Sequence, residues 1–262
     1  MNERLKRIEL VAAVAFALLQ PIMACGQTAQ DIVNQMLATY RSVQSLQLVG
    51  NAETYTVTGN KVTIIANSSR IIWQPPNHLL LVLQNPIAGS TTIASDGSQV
   101  IVYYGLHSLY RRYPAPSTPQ ALYGLLSGEA RVIEPIPDNL LLALEGALPP
   151  NIGSLTLVGS EKLNGSDCSV VKGSLKMIHQ NAGAVLKMWI DKQTHLLMKI
   201  SLKLPPAPVK VLIPQKNHHY LTQTVSQRSI IREWVVSDQI NQPIPSKTFD
   251  LKLPKGAILQ TY

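Results

Sequence analysis

Between residues 28 and 262 the chain is a long succession of alternating strand patterns with only three stretches of helical spacing, and that imbalance decides its architecture. Strand patterns fall at 45–58, 61–73, 78–84, 91–95 and 98–104, and resume at 153–161, 168–177, 184–190, 195–204, 208–213, 219–236 and 246–253. Turn dipeptides separate them: Gly59-Asn60, Asp96-Gly97 and the loop Asp191-Lys192-Gln193-Thr194 read as hairpin connections. The run IIWQPPNHLLLVLQ (71–84) stops at Pro75-Pro76, which has no N–H to donate and fixed φ, so it is two strands joined at a forced bend.

The helical patterns are few. From Gln30 to Tyr40 the apolar residues Ile32, Val33, Met36, Leu37 and Tyr40 share one helical face, with Thr28 or Asp31 placed to cap it. In mid-chain, Thr118-Pro119 opens QALYGLLS, and Asp138 caps NLLLALEGAL before Pro149-Pro150 ends it. Three helices cannot cover so many strands laid flat. The predicted fold is therefore α+β: a strongly curved antiparallel sheet, an unclosed β-barrel, wrapped round a few helices with a concave apolar interior. No linker or repeat divides 28–262, so it reads as one domain.

Strand polarity points to the interior. Leu196, Met198, Ile200, Leu202 and Leu204 alternate with Leu197, Lys199, Ser201 and Lys203, giving one buried and one mostly wet face. Phe249, Leu251 and Leu253 repeat the alternation. In LLLVL (79–83) and around Val100–Tyr103 both faces are apolar. Such strands are either covered on both sides or have one side on a cavity for an apolar guest. The expected cavity wall is Leu79, Leu81 and Leu83 with Met198, Ile200, Leu202 and Leu204.

Residues 1–25 have the three parts of an export signal: basic Arg4, Lys6 and Arg7, the apolar run LVAAVAFALL, and small residues before Gly26. The run is shorter than the roughly 20 residues needed to span a bilayer. Ile22-Met23-Ala24-Cys25 fits a lipoprotein signal with Cys25 as the lipid attachment point; cleavage after Gly26 is the alternative. Either way Cys168 has no intramolecular partner, and stability must come from the core. The expected location is the periplasm or cell envelope of a bacterium. The whole chain carries a net charge of +8; its basic residues read mainly as solvated strand faces, with a leaning towards anionic lipid or envelope polymer as the lesser reading. Its basic residues are scattered singly without an aromatic platform, which argues against nucleic acid.

Catalytic motifs are missing: there is no Gly-x-Ser-x-Gly, His-Glu-x-x-His, glycine-rich phosphate loop or Cys-x-x-Cys. His218-His219 would point to opposite faces of a strand and make a poor metal site. Glu233, Asp238 and Asp250 have no spacing that fixes a catalytic pair. Asn67-Ser68-Ser69 and Asn164-Gly165-Ser166 are sequon-shaped, which means little in a bacterial envelope protein. The expectation is a protein without catalysis, cofactor or metal.

Several of these features together resemble the periplasmic lipoprotein-carrier (LolA-like) superfamily, and most of all its uncharacterised envelope relatives. They are a first helix with Tyr40 and Ser45-Leu46, a strand pair split by Gln-Pro-Pro-Asn, and Ser95-Asp96-Gly97 before a Val/Tyr-rich strand. FDLKLPKGA (249–257) is similar to the family's closing Phe-x-Phe-x-Pro-Pro-x-Gly segment, and MWIDKQTHLLMKI (188–200) resembles the Trp-Ile-Asp hairpin of those relatives. The resemblance spans 28–262 and implies an unclosed barrel lidded by helices that receives acyl chains of lipids or lipoproteins. It also implies that an arginine which holds the lid in the carriers is replaced here by Pro75. A second function class is an envelope interaction or stress-sensing module of the same fold, whose edge strands bind a protein partner that the sequence does not specify. A hydrolase ranks last.

Overall fold

A computed structural model describes residues 27–133, 137–148, 150–175, 183–214 and 220–261. Cys25, Pro149 and His218-His219 lie outside these. The first helix, α1 (Ala29–Ser42), forms where the periodicity predicts and is capped from both directions. The Thr28 hydroxyl accepts the Asp31 N–H at 3.1 Å, and an Asp31 carboxylate oxygen accepts the Thr28 N–H at 3.1 Å. Its apolar face, Ile32, Val33, Met36 and Tyr40, is buried in the main core.

Strands β1 (Leu46–Thr58), β2 (Lys61–Gln74), β3 (His78–Asn85), β4 (Gly89–Asp96), β5 (Gln99–Tyr104) and β6 (Leu109–Pro114) form an antiparallel meander. Helices α2 (Pro119–Ile133) and α3 (Asp138–Glu145) interrupt it as expected. The second half supplies β7 (Thr156–Leu163), β8 (Ser166–Leu175), β9 (Ala184–Asp191), β10 (Leu197–Lys203), β11 (Ala207–Pro214), β12 (Tyr220–Ile240) and the short β13 (Ile258–Leu259). Among the described residues these make one 13-stranded sheet in the order β13-β6-β5-β4-β3-β2-β1-β12-β10-β9-β8-β7, with β11 beside β12. The 21-residue β12 is the spine: it pairs with β1 along one side, and with β11 and then β10 along the other. The two ends, β13 and β7, do not meet, so the curved sheet stays unclosed. The helices fill its concave side: α1 packs on α3, β7 and β9, and α2 packs on α3.

Two turns show the local logic. At the Pro-Pro bend, Gln74 pairs with His78 across Pro75-Pro76-Asn77, and the buried Asn77 amide donates to the carbonyls of Gly97 (3.2 Å) and Pro116 (2.7 Å). In the Asp96-Gly97 turn, Asp96 accepts the N–H groups of Ser98 (2.8 Å) and Gln99 (2.9 Å), which pull its carboxyl down to about 2 against the opposing effect of burial. Gly97 sits at φ 91°, and a Cβ there would come within 2.9 Å of the His78 ring.

The two-faced strands are covered on both sides. Leu79, Leu81, Val100 and Val102 face the helices in the main core. On the opposite face, register places Ile72, Leu80, Ala94 and Ile101 in one row across β2 to β5. Ile72, Ala94 and Ile101 are buried although they lie outside the main core. Their cover is the C-terminal segment, which corrects the strand expected at 246–253. Ser246–Phe249 is a 3-10 turn packed on β3 and β4, with Phe249 buried and its ring 5.2 Å from that of His78. The segment ends in β13, which pairs in parallel with the free edge of β6. Phe249 thus closes a second, smaller core instead of alternating in a strand.

Two helix boundaries also differ from expectation. Pro137, not Asp138, occupies the cap of α3, and Asp138 is its first helical residue. The helix ends before the prolines, at Gly146, whose left-handed φ of 61° lets its N–H donate to the Leu142 carbonyl at 2.7 Å. The Gly146 carbonyl then accepts the Arg41 Nε–H at 2.8 Å, which ties α1 to the end of α3.

Candidate functional site

Beneath α3 the concave face is not fully packed. One cavity of about 320 Å3 lies between Tyr123, Leu141 and Leu148 on the helical side and Leu186, Met188 and Leu197 on the sheet. A second, of about 200 Å3, is lined by Thr54, Asn67, Leu83, Pro137, Ile231 and Glu233. Asp138, Ile200 and Leu202 line both, so the two spaces meet at one waist. The larger cavity is walled mainly by aliphatic side chains, whereas half of the residues lining the smaller one, among them Thr54, Ser68 and Ser69, are polar.

Of the seven residues expected to form a wall, the structure brings Leu83, Ile200 and Leu202 to the cleft. Leu79 and Leu81 are fully buried in the packed core and reach neither cavity. Two-sided burial, not a cavity, accounts for their apolar run. Met198 is buried in the core but lines neither cavity, because β10 bulges between Leu197 and Lys199. The extra residue resets the alternation, so Leu197 points inward while Met198 and Lys199 line an outer groove with Arg232 and Trp234. Leu204 is half-buried at the end of the strand, its N–H on the Ser229 carbonyl at 2.9 Å.

The waist holds two carboxyl groups that come from 95 residues apart in the chain. Glu233 sits on β12 opposite Ala52 and Ile200 on the inward face, next to Ile231, where an apolar residue would continue the pattern. The first turn of α3 is aimed at it: the Asp138 N–H donates to Glu233 Oε2 at 3.1 Å, and Asn139 donates from both side chain and backbone. Free first-turn amides stabilise a carboxylate in this position. Asn139 is held in turn by Tyr40, whose buried hydroxyl donates to Asn139 Oδ1 and accepts the Leu197 N–H at 3.3 Å. The network joins α1, α3, β10 and β12 around the waist.

Burial dominates the electrostatics. Removal from water raises the Glu233 carboxyl above the usual range, and the neighbouring Asp138 carboxyl adds to this, against the amide hydrogen bonds, which lower it. Asp138 is raised by burial alone, and the Tyr40 hydroxyl is raised chiefly by burial. Both acids are only half-buried by exposure, because the cavities open beside them, yet protein surrounds them closely enough for desolvation to prevail. Glu233, Asp238 and Asp250 do not form a carboxyl pair among themselves. Glu233 meets Asp138; Asp238 is raised by burial and by Asp191, and Asp250 belongs to the C-terminal segment. A carboxylate in the inward register of an apolar strand was the available signal for Glu233, while Asp138 was masked by its resemblance to a helix cap.

Cys168 is fully buried, and burial pushes its thiol up to about 11, which suits a packing role. Among the described residues no His/Cys/Asp/Glu cluster has the makings of a metal site, and no helix is long and apolar enough to cross a membrane.

The chain belongs to the family described as a predicted periplasmic protein (DUF2092), whose model matches residues 29–259. This periplasmic description agrees with the export signal and the envelope location expected from the sequence. No curated protein sequence matches it. Similar solved structures include the lipoprotein LppX of Mycobacterium tuberculosis, with 13% identity and a TM-score of 0.44 over 83% of this chain and 97% of that one. LprF of Mycobacterium bovis has 11% identity and a TM-score of 0.39 over 88% and 100%. A LolA superfamily protein of Nitrosomonas europaea has 11% identity and a TM-score of 0.28 over 86% and 98%.

Proposed function

We propose that this member of the periplasmic family is a non-enzymatic envelope protein that receives the acyl chain of a lipid or lipoprotein in the cleft under α3. The observation that carries the reading is the pair of adjoining cavities, about 320 and 200 Å3, that share the apolar residues Ile200 and Leu202. Ligand pockets are commonly apolar spaces of this order with a few convergent polar groups. A neutral apolar fluorescent probe is expected to bind the purified protein with micromolar affinity, and mass spectrometry of the native protein is expected to find co-purified lipid. Leu202→Trp, which fills the waist, should abolish probe binding while leaving the circular dichroism spectrum unchanged. Wild-type protein that takes up no probe and carries no lipid would overturn the reading.

One observation favours the interaction module as a second reading. β7, at the free end of the sheet, is exposed along nearly its whole length, with Leu157 and Val158 among its outward residues. An open edge of this kind accepts a further strand from a partner. A specific protein complex lost on Val158→Pro, in a protein that binds no lipid, would support this reading over the first.

A further inference from the structure

Both charged groups at the waist are acidic, and that imbalance identifies the missing partner. Asp138 lines both cavities, and its carboxyl makes no hydrogen bond or ion pair among the described residues; only its backbone N–H is engaged. Glu233 accepts from the first turn of α3 and, among the described residues, forms no ion pair with a cation. No lysine, arginine or histidine is among the described lining residues of either cavity. Buried acceptors left unpaired cost stability, and a buried carboxylate costs more. A guest with hydrogen-bond donors and a positive charge would partner the Asp138 carboxyl and offset the charge that the two acids share.

We propose that the cleft is selective for long-chain amphiphiles bearing a protonated amine and no anionic group, with the ammonium set between Asp138 and Glu233 and the alkyl chain along Ile200 and Leu202. The inference rests on the cleft reading above and adds the chemistry of the head. An ammonium offers three donors and one positive charge. Burial and mutual repulsion make the pair hold on to a proton, so its net charge near neutral pH is close to that of a single carboxylate and matches one ammonium. A fatty carboxylate would place a third acidic group at the waist. The basic outer surface attracts anions, so exclusion of anionic heads would be a property of the cleft itself.

The test compares three ligands of one chain length, dodecylammonium, dodecanol and dodecanoate, in displacement of a neutral apolar probe at pH 7 and below their micelle concentrations. Dodecylammonium is expected to bind roughly ten to a hundred times more tightly than dodecanol, the range of a charge-assisted hydrogen bond, and dodecanoate more weakly still. In Asp138→Asn/Glu233→Gln the ammonium advantage should fall to about onefold while dodecanol binding is retained, which also certifies the fold of the variant. Dodecanoate binding as tightly as dodecylammonium, or an ammonium preference that survives the double substitution, would refute the selectivity and leave the cleft reading standing. If the probe binds but none of the three displaces it, the selectivity falls and the cleft reading stands; if no probe binds and no lipid co-purifies, both fall together.

Discussion

Replacing Glu233 by glutamine should make the protein more stable at neutral pH and flatten its dependence on pH. In the unfolded chain both waist carboxyls titrate near 4. In the fold, burial raises Asp138, while burial and then repulsion by Asp138 raise Glu233. A raised carboxyl binds its proton more tightly in the folded state. Its favourable contribution is therefore present at low pH and is lost as the pH climbs from the unfolded value through the folded one. For one retained proton the loss is about 1.4 kcal/mol per pH unit, or about 2.7 kcal/mol between pH 5 and pH 7. With a urea slope on the order of 2–3 kcal/mol/M, the wild-type midpoint should fall by about 1 M across that interval relative to Glu233→Gln. The amide still accepts the Asp138 N–H and keeps the shape of the waist. Asp31, Asp96 and Asp191, whose carboxyls are held low, are ionised in both states over this window and do not contribute. Asp238, also raised, is common to both proteins and cancels in the difference. Parallel midpoint curves for the two proteins from pH 5 to 7 would refute the reasoning.

Tyr40→Phe should cost about 1–3 kcal/mol in urea unfolding, because it leaves Asn139 Oδ1 and the Leu197 N–H without their buried partner; a change under 0.5 kcal/mol would mean the network is dispensable. Phe249→Ala should cost about 3–5 kcal/mol and speed amide exchange at Ile258 and Gln260, which bond to the Ser108 and Tyr110 carbonyls, since the ring closes the outer core; unchanged exchange there would separate the 3-10 turn from β13. Asp96→Ala should lower the melting temperature at pH 7, where the depressed carboxyl contributes, and the gap should close as the pH falls towards 2. That side chain is well solvated, so its contribution is held to about 1 kcal/mol or less, and a gap that persists at pH 2 would assign the effect to the turn rather than the charge.

What the sequence showed depended on the range over which each signal acts. The first helix, the Asp96-Gly97 turn and the meander from β1 to β5 are set by neighbours three or four residues apart, and periodicity and turn chemistry placed them within a residue or two. The bulge at Met198 is also local, but one inserted residue is invisible to an alternation count and sends every side chain before it to the other face. Phe249, Leu251 and Leu253 alternate as a strand does. They do not form one because the segment lies across the outer face of β3 and β4, where a ring meeting His78 covers the apolar row. The waist was the least legible part. Asp138 and Glu233 are brought together by the pairing of β12 with β10 and by the docking of α3, neither of which leaves a trace in the spacing of two acidic residues.

A protein selected for stability alone has no use for Asp138 and Glu233 where they stand. Neutral side chains of the same shape would fill the waist without the desolvation penalty, and replacing buried charges in this way often stabilises. Yet the surroundings hold the carboxyls rather than relieve them: the α3 amides converge on Glu233, Asn139 is fixed by Tyr40, and Tyr40 is fixed by the Leu197 N–H beside the β10 bulge. These bonds orient the pair while leaving Asp138 open to both cavities. A structural ion-pair network would instead supply a cation. The combination of a stability gain on Glu233→Gln with a loss of ammonium selectivity in the double variant is therefore the signature that separates a binding group from a buried structural acid. A stability gain with unchanged selectivity would make the pair a tolerated flaw in the core, and the cleft an unselective apolar pocket.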